Sequence, residues 1–131
     1  MTVFDAFERG LAVLAADRSQ TSSLSKYAAA WVNLALAEMF GAENSIRAFE
    51  GRPELSDIPT LAGGGDVIPY SDSLVSGALP YFIASLAAKD DEDLFFSQFC
   101  RARFCEEVSR ASKAVCGGVA DFYSDINERE A

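Results

Sequence analysis

No residue from position 73 to 88 carries a charge, and Pro80 stands inside the run. At 16 residues it is short of the ~20 needed to span a bilayer. It also contains Ser76, Gly77 and Ser85. The segment therefore reads as a helix buried in a protein core, with other helices required around it. Pro80 restricts its form. It cannot donate to the carbonyl of Ser76 and its ring crowds that carbonyl, at a cost of ~3 kcal/mol inside a helix. Two solutions exist: one helix kinked at Pro80, or a short helix ending near Gly77 with a second beginning at the proline. Leu74, Ala78, Phe82 and Leu86 recur every four residues across the proline, which favours one kinked helix starting near Ser71 or Asp72.

The covering helices are legible from their periodicity. Val3, Phe4, Phe7, Leu11 and Leu14 recur at steps of three and four, with Thr2 available as a cap. The stretch "KYAAAWVNLALAEMF" has no breaker and can be capped by Ser23 or Ser25. Tyr27, Trp31, Leu34 and Glu38 follow one side of it, and Ala28, Val32, Ala35, Leu36 and Met39 another, so it should touch more than one neighbour. The pattern can continue past Gly41 to Glu50, where Gly51 and Pro53 give a stop. Phe96, Cys100, Phe104, Val108, Ala111 and Val115 form the stripe of the last helix, widened by Phe95 and Phe99. Gly117 and Gly118 are its expected end.

The four acids at 90–93 precede that helix. Calcium loops alternate their ligands around a glycine bend, and "DDEDLFF" has neither feature. Asp90 or Asp91 is instead expected to cap the helix, leaving the other acids in a first turn where the helix dipole stabilises negative charge.

The intervening "RPELSDIPTLAGGGDVIPYSD" contains three of the four prolines and three adjacent glycines. Apolar runs at 58–61 and 67–70 flank "AGGGD" and predict a small β-hairpin, with an irregular loop as the alternative. No lysine accompanies the glycines, which excludes a P-loop. The chain of 131 residues is thus expected to be mainly α. The expected fold is a four-to-five-helix bundle over residues 1–118, with a hairpin or extended loop at about 52–71 and an extended C-terminal arm at 119–131.

A net charge of −9 argues against binding nucleic acid or anionic membranes. With no histidine in the chain, Ser-His and Cys-His nucleophile pairs cannot be assembled within it. Cys100, Cys105 and Cys116 fit no disulfide framework, which favours a reducing compartment, and Cys100 and Cys105 read as buried structural thiols. Arg47 and Arg52 read as solvated surface partners of neighbouring acids, and Trp31 as a core residue. The N-terminus lacks the basic-then-apolar pattern of a signal peptide. A non-catalytic role without cofactor or metal follows.

The order of segments resembles the head–tail adaptor (connector) proteins of tailed bacteriophages. The likeness covers about residues 24–113. It runs through "KYAAAWVNLALAEMFGAENSIRAFEG", "IPYSDSL…ALPYFIASLAAKDDED" and "LFFSQFCRARFCEEV". It implies a helical virion protein of the neck, made in the bacterial host cytoplasm, with a small β element. It further implies a homo-oligomeric ring of about twelve copies between the portal and tail proteins, with genome DNA passing through unbound and no membrane association. By the same resemblance, Phe122, Tyr123 and Ile126 belong to an arm that docks on a partner. Gly63, Gly64 and Gly65 form a loop that contacts the neighbouring ring. The alternative from a different class is a cytosolic helical interaction module, such as a small regulator or assembly chaperone.

Overall fold

A computed structural model describes residues 1–15 and 22–130, with side chains as far as Ser112. The protein is mainly helical. Helix α1 is Val3–Val13, α2 is Ala28–Glu50, α3 is Asp72–Gly77, α4 is Leu79–Asp90 and α5 is Leu94–Glu130. A single 3-10 turn at Ser25–Tyr27 leads into α2.

Helix α4 lies at the centre, packed most extensively against α5 and α1. Leu79, Phe82, Ile83, Ala84, Ser85, Ala87 and Ala88 are all buried, which is why the sequence tolerates no charge there. Gly10 allows α1 to approach closely: a Cβ at this position would lie 2.6 Å from both Cβ and Cγ2 of Ile83. A glycine inside a helix costs ~0.5–1 kcal/mol relative to alanine, and the α1–α4 contact is what requires it here.

The expected single kinked helix is two helices. The chain breaks at Ala78, and Pro80 enters the first turn of α4. Its missing N–H is not needed in a first turn, so the larger penalty of an interior proline is avoided. The Ala78 carbonyl accepts from the N–H groups of Tyr81 (3.1 Å) and Phe82 (3.4 Å).

Capping was legible at α1 and shifted elsewhere. The Asp5 N–H donates to Thr2 Oγ1 (3.2 Å), and the Thr2 N–H donates to Asp5 Oδ2 (3.1 Å). This reciprocal pair holds the Asp5 carboxyl below the ordinary carboxylate range, the bond from the Thr2 backbone contributing most. At α2, neither expected serine is the cap residue: the helix follows Tyr27, and the Ser25 hydroxyl donates back to the Ser22 carbonyl. Helix α2 runs through Gly41 and ends at Gly51, whose φ of 75° is left-handed. The Arg52 N–H closes that end on the Arg47 carbonyl at 2.8 Å. Ser71 precedes α3 without a side-chain cap bond.

The acid run is a turn more than a helix start. Asp90 ends α4, Asp91 and Glu92 form the turn, and Glu92 has φ 62°. Asp93 caps α5, its Oδ1 accepting from the Phe96 N–H at 3.1 Å. The stripe of α5 is confirmed at Cys100, Phe104 and Ala111, all buried. The helix continues through the expected stop at Gly117 and Gly118 to Glu130. The arm residues Phe122, Tyr123 and Ile126 lie outside the described side chains, as does Cys116.

The expected hairpin does not form, and no strand occurs among the described residues; Val67 makes one isolated antiparallel bridge to Thr2. A turn exists between the two apolar runs: the Asp66 carboxylate accepts from the N–H groups of Ala62 (2.9 Å) and Gly63 (3.1 Å). The arms then diverge, because each finds other partners. The Leu61 N–H donates to Asn33 Oδ1 (2.8 Å) and the Leu61 carbonyl accepts from Asn33 Nδ2 (2.9 Å). Asn44 makes the same paired contact with Leu55, at 2.7 and 3.1 Å. Asn33 and Asn44 are eleven residues apart, which returns to nearly the same side of a helix after ~16 Å. The segment 55–61 therefore runs back along α2, with side-chain amides standing in for a partner strand.

Candidate interaction surface

The loop that leads to the surface is held by a buried ion pair. Glu43 falls on the apolar stripe of α2 and is fully buried. Its Oε1 accepts from Arg47 Nε at 2.8 Å and its Oε2 accepts from the Ser71 N–H at 2.8 Å. Arg47 Nη2 donates to the Pro69 carbonyl at 2.8 Å and Nη1 to the Pro53 carbonyl at 3.4 Å. The pair thus fastens both ends of the 52–71 loop to α2. Arg47 is not the solvated residue expected; its side chain is 16% exposed. Beside it, the Tyr70 hydroxyl donates to the Leu36 carbonyl at 2.6 Å. Burial, and then the charge of Glu43, push its phenol up to about 12.

The glycine loop closes over the start of α1. The carbonyls of Asp66 and Gly64 accept from the N–H groups of Val3 (3.1 Å) and Phe4 (3.0 Å). These are donors that a first helical turn leaves without internal partners. A Cβ on Gly64 would collide with the Phe4 ring, whereas Gly63 and Gly65 have open space around the corresponding position. Phe4 and Val67 remain 48% and 66% exposed at this edge.

A second and larger apolar patch lies on the start of α5. Phe95 is 82% exposed, Leu94 61% and Phe99 57%. Phe95 and Phe99 did not widen the buried stripe as expected. Nine residues separate Phe95 from Phe104, so at ~100° per residue they point in opposite directions. Only Phe104 meets the core, edge-on to Phe82 at 5.1 Å. Next to the patch, a groove of about 560 Å³ separates α2 from α5, bordered by Leu34, Phe82, Leu86 and Arg101. Arg101 reaches across it to Glu38 at 2.5 Å, with its guanidinium over the rings of Phe82 and Phe104.

Burial, and then the Asp93 carboxylate, push the Cys100 thiol above its ordinary pKa, which disfavours the nucleophilic thiolate. Cys105 is exposed, contrary to its reading as a buried thiol. Among the described residues no group of three His, Cys, Asp or Glu side chains could hold a metal ion. None of the described helices is long and apolar enough to cross a membrane. Comparison with protein-family models, curated proteins and solved structures finds no match.

Two features escaped sequence reasoning. Glu43 could have been found from its place on the α2 stripe, four residues before an arginine, a spacing that brings the two side chains together. The outer patch could have been found by noting that 95 and 99 lie far around the helix from 100 and 104.

Proposed function

We propose that the protein is a structural, non-catalytic adaptor of the bacteriophage neck, forming a ring between portal and tail through which the genome passes. One observation carries the reading furthest: two distinct exposed apolar patches at opposite ends of α1. Phe4 and Val67 flank its start. Leu11 and Leu14, near its end, share a cavity wall with Phe96, next to the α5 patch. Seven to ten residues of helix separate the two ends by roughly 10–15 Å. A ring adaptor must meet neighbouring copies and also the proteins above and below it, so each subunit needs more than one contact face. Large exposed apolar patches on small soluble domains mark such contacts. The acidic charge of −9 also suits a channel that must not grip passing phosphates.

Electron microscopy of the purified protein, alone and mixed with the portal protein encoded in the same genome, tests this. A closed ring with a central channel, seated on the portal, is the expected result. A chain that remains monomeric in both samples would refute the reading.

A further inference from the structure

We propose that the outer face of the first two turns of α5 docks on a partner protein whose matching surface is apolar and rimmed by lysine or arginine. The inference rests on the adaptor reading for the partner's place in the neck; the patch itself supplies the chemistry.

Leu94, Phe95 and Phe99 are all more than half exposed, and Gln98, which lies among them, is uncharged. The acid turn at 90–93 runs directly into this patch and is exposed throughout. Folding uses one of its four side chains: Asp93 caps α5. Among the described residues, the carboxylates of Asp90, Asp91 and Glu92 have no hydrogen-bond or ion-pair partner. Lys89, at the start of the turn, offsets one of these charges. The result is an apolar centre with an acidic border, the form that a basic-rimmed apolar surface complements.

The charge pattern argues against the other occupants. A second copy bound face to face would bring two acid turns into one contact, between chains that each carry −9. An anionic bilayer or a nucleic acid would be repelled for the same reason. The patch holds few side chains, so each site alone should bind weakly. A ring presenting many copies would raise the total strength without adding contacts.

The test uses the full chain and a synthetic helical peptide of leucine and lysine, with the leucines on one face. A leucine–glutamate peptide of the same pattern is the control. Binding is followed by fluorescence anisotropy at low and moderate salt, with backbone amide shifts to locate the site. The leucine–lysine peptide should bind at least about tenfold more tightly than the control and shift amides around 94–99. Phe95→Ser, with its helical circular dichroism unchanged, should weaken binding about tenfold. Neutralising the turn (Asp90→Asn, Asp91→Asn, Glu92→Gln) should weaken it and flatten its salt dependence. Equal binding of the two peptides would overturn the proposal. So would binding unaffected by Phe95→Ser, or self-association of the chain that Phe95→Ser abolishes. Rings seen by microscopy without peptide binding would sink this inference alone. Peptide binding without rings would sink the adaptor reading alone.

Discussion

Phe104 and Phe95 stand on the same helix with the same side chain and meet opposite fates. Phe104 is 3% exposed and packs against Phe82; Phe95 is 82% exposed. The difference follows from the helical turn, which points one ring at α4 and the other away from it. One face of α5 packs into the core and the other leaves Phe95 in solvent. An apolar residue that contributes nothing to its own domain is best explained by something outside the domain.

On the inner face, Phe104→Ala should destabilise by about 3–5 kcal/mol, the usual cost of removing a buried aromatic ring and leaving a cavity. Chemical denaturation measures it, and a loss under about 1 kcal/mol would mean that the α4–α5 contact is not the core described. Glu43→Ala extends the inner side to a buried charge. It leaves Arg47 without its carboxylate and releases the Ser71 N–H, for an expected loss of about 3–5 kcal/mol. Arg47→Met paired with Glu43→Leu should recover much of that loss, because a buried pair can often be replaced by apolar residues of similar volume.

A smaller effect is expected at Tyr70. Tyr70→Phe removes the bond to the Leu36 carbonyl and should cost about 1–2 kcal/mol. It should also alter the alkaline limb of stability. The folded phenol titrates near 12 against an ordinary value of 10.0, so folding favours the protonated form. That contribution is complete below pH 10 and is lost as pH rises towards 12. The Phe variant should lack this part of the decline, measured by thermal unfolding across that range. The smallest effect belongs to the outer face: Phe95→Ser and Phe99→Ser should each change stability by less than about 0.5 kcal/mol.

Much of the architecture was legible in the sequence for particular reasons. The uncharged run at 73–88 had to be buried, because it is too short to span a membrane and carries no charge for a surface; it forms most of α3 and the central α4. Thr2 and Gly51 marked boundaries through chemistry confined to one turn. The failures came where a local pattern has two solutions and distant partners choose between them. Proline in an apolar helix permits a kink or a restart; the restart at Ala78 needs no interior penalty. The runs at 58–61 and 67–70 could pair with each other. Asn33 and Asn44, far off in sequence, took the backbone groups of Leu61 and Leu55 instead, and Thr2 took Val67. Gly10 was unreadable for the same reason, since its requirement comes from Ile83 across the α1–α4 contact. The outer patch on α5 was readable only by angle: Phe95 and Phe99 lie far around the helix from Cys100 and Phe104, although all four are apolar.

The outer face of α5 is proposed to serve docking and not folding. The most direct measurement compares the wild-type chain with the Phe95→Ser/Phe99→Ser double variant in two assays on the same sample. One is denaturant unfolding and the other is docking of the leucine–lysine peptide, followed by fluorescence anisotropy. The account predicts a stability within about 1 kcal/mol of wild type together with loss of docking. A variant that docks normally, or one that unfolds several kcal/mol more easily, would contradict it.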